Sequence, residues 1–151
     1  MPTTIASPAD IARLTGQELG ASSWSTLPFS QIQAFAGATG DHQWIHVDRE
    51  RIETESPFGA PIAHGYLTLS LVAGLFFEVV TLDGFAMVIN YGCNKVRFPH
   101  PMLENSRYRL SLKLQSGRQI KDSKWWEMVM VATIEIEGAK KPACVAEVVY
   151  R

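Results

Sequence analysis

The chain has 151 residues, 46% of them hydrophobic and 19% charged, with a formal net charge of -1. That length suits a single domain able to bury a core without staples, and the near-neutral charge offers no handle for nucleic acid or an anionic membrane surface. Cys93 and Cys144 make neither a disulfide framework nor a metal-ligand spacing, and both are expected as buried thiols in apolar strands.

The first residues lack the basic start and apolar run of a signal peptide, so a reducing cytoplasm is expected. Ser7-Pro8-Ala9-Asp10 then reads as a helix start, with Ser7 as N-cap and Pro8 at the first helical position, and Gly16 closes that helix. Residues 22–27, around Trp24, are expected to form the first strand. Ser30 with Gln33 matches a capping box, Ile32, Phe35 and Ala36 follow at helical spacing, and Thr39-Gly40 is a stop. Residues 41–46 then fall on a tight irregular connection, and Asp48 caps a short helix over 49–54.

After a turn-rich loop at 56–61, an apolar run extends from Leu67 through Leu71, Val72, Leu75, Phe76 and Phe77 to Val80. It predicts a helix buried on all sides. A membrane span needs about 20 apolar residues, and His64, Thr68, Ser70 and Glu78 interrupt this one. Asp83-Gly84 breaks the helix, and from there the period changes to two. Residues 85–98 are β-rich, Tyr108, Leu110, Leu112 and Leu114 alternate with polar residues, and a turn is expected near Gly117. Trp126, Met128, Met130, Ala132, Ile134 and Ile136 then form one apolar face, and residues 143–150 make the last strand.

Helices followed by strands at hairpin spacing predict an α+β fold: one domain over 1–151, an antiparallel sheet wrapped around a long central helix, the hot-dog arrangement. A sheet this small must cover or pair its edges, so a homodimer is expected.

Three features within 25 residues bear on chemistry: Asp41, His46, and Gly65 where the central helix begins. Each has a plain structural reading. Asp41 suits a turn, His46 a satisfied structural histidine, and Gly65 close helix packing. Together they are an acid/base pair beside free backbone N–H groups and the positive end of a helix dipole. Such a site stabilises an enolate while water is added to, or removed from, a bond conjugated to a carbonyl.

These residues also carry a resemblance. Asp41-His42-Gln43-Trp44-Ile45-His46, followed by Gly59-Ala60-Pro61-Ile62-Ala63-His64-Gly65-Tyr66-Leu67, is similar to the signature of the MaoC-like dehydratases, the (R)-specific enoyl-CoA hydratase family. Phe29-Ser30-Gln31 and the residues before Asp41 resemble that family's approach segment. Residues 90–98 resemble a branch that includes nodulation-protein-N-like sequences.

The resemblance implies a dimeric hot-dog enzyme that hydrates trans-2-enoyl-CoA to (R)-3-hydroxyacyl-CoA. Asp41 and His46 would share the water, and the Gly65 N–H would hold the thioester oxygen. No metal and no redox cofactor are implied; coenzyme A is part of the substrate, with acyl carrier protein as the alternative carrier. Trp44 stands with Gln43 where many members have Asn-Pro, so it is expected to shape the pocket. Its further lining is expected from His64, which orients the helix start, and from Tyr66, Asn90 and Asn94. Lys95 and Arg97 are the candidates for the phosphates of coenzyme A. The rivals are a hot-dog acyl-CoA thioesterase and a non-catalytic acyl-thioester-binding subunit.

Overall fold

The two-residue periodicity of the second half becomes a twisted antiparallel sheet in the computed structural model, which describes residues 1–151. Its long strands are β6 (Arg107–Gln119), β7 (Trp126–Ile136) and β8 (Cys144–Tyr150), with β5 (Asn90–Arg97) and β2 (Glu18–Ala21) at the two ends. The order is β2-β6-β7-β8-β5, and the short β3 (Ser25–Thr26) also pairs with β6. Every one of these pairings is antiparallel. A separate parallel pair joins β1 (Thr3–Ile5) to β4 (Val80–Leu82).

The sheet curls around α5 (Gly65–Val79), whose Leu67, Val72, Leu75, Phe76 and Val79 share one core cluster with Leu110, Leu112, Leu114, Met130 and Ile134. This is the hot-dog arrangement in an α+β fold. The smaller helices α1 (Pro8–Leu14), α2 (Phe29–Thr39), α3 (Trp44–Val47) and α4 (Arg49–Glu55) precede it. No helix is long and apolar enough to cross a membrane.

Local chemistry explains most boundaries. The Ser7 side chain accepts from the Asp10 N–H at the start of α1, and Asp48 accepts from Arg51 at the start of α4. Gly40 ends α2 in the left-handed region at φ 75°, its N–H returning to Ala36.

Several expectations fail for identifiable reasons. The capping box at Ser30 does not form: α2 already begins at Phe29 after Pro28, with no side-chain cap. Of the early strand expected over 22–27 only the two-residue β3 forms; β2 ends at Ala21, just before Ser22, whose side chain accepts from the Leu110 N–H. The expected connection over 41–46 contains the single helical turn of α3. Gly117 is no turn; β6 runs on to Gln119 and the chain reverses over 120–125, with Asp122 at φ 58°. A Cβ on Gly117 would lie 2.1 Å from Ile11 Cγ2, so the glycine is there to let α1 lie against the strand. Cys144 is buried as expected, but Cys93 is exposed on the edge strand. Finally, α5 is not buried all round, since Tyr66 is 73% and Phe77 63% exposed.

Candidate active site

The site forms where three backbone segments cross at the head of α5. Residues 61–63 run extended between α3 and the loop after β5. The Ile62 N–H donates to the Ile45 carbonyl, Ala63 N–H to Met102 and Glu104 N–H to Pro61. Arg49 adds a two-pronged ion pair to Glu104, at 2.8 and 2.6 Å, while its guanidinium lies over Phe29. The frame is therefore cross-braced by its own backbone and by the Arg49–Glu104 pair.

Into it project Asp41, His46 and His64, whose ligand atoms lie within 4.8 Å of one another. Asp41 is exposed, whereas His46 and His64 are only 6% and 3% exposed. The His46 Nδ1 faces the Ile62 carbonyl at 2.7 Å. A carbonyl only accepts, so Nδ1 carries the proton and Nε2 keeps its lone pair. Burial pushes the His46 imidazolium to ionise at lower pH than an ordinary histidine; the Ile62 bond opposes this, His64 reinforces it and Asp41 opposes it. His46 is thus a neutral imidazole near pH 7 with a free acceptor nitrogen.

His64 occupies the N-cap position of α5 without capping it. The N–H groups of the first turn are left without a side-chain acceptor, and the helix dipole adds positive potential there. Gly65 is the first helical residue, and a Cβ there would lie 2.9 Å from the Phe98 ring, so the space a side chain would take is already filled by Phe98. The glycine admits that ring; it does not face empty space.

Asp, His and His are ligand types that metals accept. However, the His46 and His64 rings stack with centroids 3.7 Å apart and planes only 23° apart. Near-parallel rings at that separation cannot both aim in-plane lone pairs at one ion about 2.0–2.1 Å away. The arrangement suits a water held between a carboxylate and an imidazole beside a ready oxyanion site.

Comparison with known proteins fits that chemistry. The MaoC-like domain family matches residues 10–136. The chain is 44% identical over 148 residues to 3-hydroxyacyl-thioester dehydratase Z of Mycobacterium tuberculosis, covering 98% of this chain and 97% of that protein. It is 43% identical over 139 residues to nodulation protein N of Rhizobium leguminosarum bv. viciae, covering 91% and 86%. The chain belongs to the MaoC-like dehydratase family. Its fold is also that of the (R)-hydratase from A. caviae involved in PHA biosynthesis, with a TM-score of 0.70 at 21% identity over 91% and 95% of the two chains.

Within this MaoC-like chain the remaining candidates are scattered. Trp44 and His46 are two apart on α3, so they leave opposite faces, and the Trp44 ring lies under the Arg51 guanidinium at 4.4 Å. Tyr66 points outward from α5, edge-on to Phe98. Asn90 lines an open crevice between α5 and β5, together with Leu69, Ala73 and Cys93. Asn94, Lys95 and Arg97 are exposed on the edge strand; Lys95 pairs with Glu147, and Arg97 donates to the neighbouring Val96 carbonyl. The MaoC-like signature pointed to the pair but not to its supports. Phe35, Ile62 and Phe98 lie within the matched segments, but nothing in the sequence assigns them a place at the site, because their contacts arise from packing between distant segments.

Proposed function

We propose that this protein reversibly adds water to a trans-2-enoyl thioester, giving the (R)-3-hydroxyacyl thioester. The carrying observation is the Asp41 carboxylate beside the free Nε2 of a neutral, buried His46, both next to the uncapped first turn of α5. Two acceptors match a water that donates both of its protons. As the water oxygen bonds to Cβ, the pair draws one proton from it, and the pair returns a proton to Cα on the same face. The addition is therefore syn, and no proton is gained or lost overall. The Gly65 N–H, at the positive end of the helix, receives the thioester oxygen as it becomes an enolate oxygen. The acyl thioester substrate class comes from the related dehydratase Z, and the (R) configuration from the A. caviae (R)-hydratase.

Coenzyme A is the proposed carrier, with Arg97 on the exposed edge near its phosphates and Asn90 beside the acyl chain. Acyl carrier protein is the alternative. No redox cofactor or metal enters this scheme, and a cytoplasmic location goes with it. The working unit is a homodimer: β5 ends the sheet with its outer edge unpaired, and the exposed stripe of α5 lies across the crevice from it.

Loss of the conjugated enoyl absorbance, with crotonyl-CoA and then a medium-chain trans-2-enoyl-CoA, tests the reading. Asp41→Asn and His46→Ala are expected to lower turnover by roughly 10²–10⁴-fold with the fold retained, the scale for losing a general acid or base. Near-wild-type hydration by either variant would overturn the assignment. Release of free thiol from saturated acyl-CoA would favour a thioesterase, and binding without turnover of any enoyl thioester a non-catalytic subunit.

A further inference from the structure

His64 is one of the most enclosed polar side chains of the protein, at 3% exposed, and the scheme above gives it no proton to move. Its ring does three things at once. The Nε2 lies 2.9 Å from the Asp41 backbone carbonyl, 23 residues earlier in the chain. One side of the ring stacks on His46 at 3.7 Å, and Phe35 packs against it at 5.0 Å with a 52° tilt. The Nδ1 is buried with no hydrogen-bond partner. Because a carbonyl only accepts, the proton sits on Nε2 and Nδ1 holds a bare lone pair. The two stacked imidazoles are thus opposite tautomers: His46 protonated on Nδ1, His64 on Nε2.

The Asp41 end needs this anchor. Its carboxylate meets only the Gln43 N–H at 3.4 Å, and its own N–H reaches Thr39 Oγ1 at 3.4 Å. The His64 bond, at 2.9 Å, is the short one at that residue. His64 also immediately precedes Gly65, so one side chain ties the carboxylate loop, the imidazole ring and the helix head together.

Resting on the hydratase reading, we infer that His64 is a positioning residue, whose Nε2–H fixes the Asp41 main chain while its ring face sets the plane of His46. Its tautomer is enforced by geometry. A proton moved to Nδ1 would break the Asp41 bond and leave a buried N–H without an acceptor.

Long-range ¹H–¹⁵N spectra of the imidazoles of the intact wild-type protein test this without turnover. His64 is expected as the Nε2–H tautomer and His46 as the Nδ1–H tautomer. His64 in the Nδ1–H form would overturn the proposal even if hydration were confirmed; the expected tautomers in a protein that fails to hydrate any enoyl thioester would leave the anchor standing and remove the hydratase reading instead. The variants are His64→Phe, which keeps an aromatic face but no donor, and His64→Gln, which keeps a terminal N–H able to reach the carbonyl. His64→Phe is expected to fold and to lose roughly 10²-fold in kcat with KM little changed, the scale of a displaced reacting group. His64→Gln is expected to recover part of that loss. Unchanged kcat in a folded His64→Phe, or a Gln variant no better than Phe, would sink the inference. If His64→Phe fails to fold, the tautomers in the wild type and kcat in His64→Gln decide: kcat of wild-type size there would mean that His46 needs no ring face beside it and would overturn the inference.

Discussion

The two faces of α5 both carry large apolar side chains and meet opposite fates. On the inner face Leu67, Val72, Leu75, Phe76 and Val79 are 1–7% exposed and pack into the main core. On the outer face Tyr66, Ser70, Ala73, Gly74 and Phe77 recur at helical spacing and are all exposed. Composition alone made this an all-round buried helix. The difference teaches that apolar character along a helix does not by itself say which face is buried; the exposed stripe beside the unpaired edge of β5 is the surface that the proposed dimer would cover.

Phe76 and Phe77 put that comparison in adjacent residues. Phe76 is 1% exposed, with its ring 4.7 Å from Tyr150, whereas Phe77 is 63% exposed. Phe76→Ala is expected to cost about 3–5 kcal/mol in denaturant unfolding. Phe77→Ala is expected to change the stability of the separated chain by only about 0.5 kcal/mol. Its effect should appear in sedimentation velocity, as a shift from dimer toward monomer. Equal losses of stability for the two would erase the distinction between the faces.

A medium-sized effect is expected where α1 rests on β6. Gly117→Ala inserts a carbon 2.1 Å from Ile11 Cγ2. Overpacking of this kind costs about 1–3 kcal/mol. Thermal unfolding should record it, and Ile11→Leu in the same chain, which removes the Cγ2 branch at nearly constant volume, should return part of the loss.

How far the sequence could foresee these features follows from the range of the interaction. Caps at Ser7 and Asp48, the stop at Gly40 and the alternation of β6 and β7 depend on neighbours within a few residues, so they could be read directly. That Asp41 and His46 come together near the start of α5 could be read because the motif is ordered and local. Gly117 misled because a glycine that admits Ile11, 106 positions earlier, looks the same as a turn glycine. Cys93 misled because an apolar strand at a sheet edge resembles one at its centre. The β1–β4 pairing lies beyond pattern reading for the same reason, joining segments near residues 3 and 80. His64 was legible as a neighbour of the site, but its tautomer needed the Asp41 carbonyl in three dimensions.

The smallest expected effect concerns the frame that holds the edge strand β5. Glu127 on β7 is 8% exposed and accepts from two arginines: Arg118 on one oxygen at 2.8 and 3.1 Å, and Arg151 on the other at 2.8 and 3.0 Å. Arg151 in turn lies 3.4 Å over the Tyr91 ring of β5. These hydrogen bonds, Arg118 first and then Arg151, hold the Glu127 carboxyl below the usual carboxylate range. A folded-state pKa below the unfolded value of about 4.3 means that the unfolded chain binds the proton more readily. The stabilisation is therefore complete above that value and is lost as pH falls through the folded one. Glu127→Gln is expected to flatten the acid-side decline of Tm between about pH 5 and pH 3, with little change in its slope above pH 6. An unchanged decline would mean that the two arginines are solvated pairs of the kind worth little, and that β5 is held by its ladder alone.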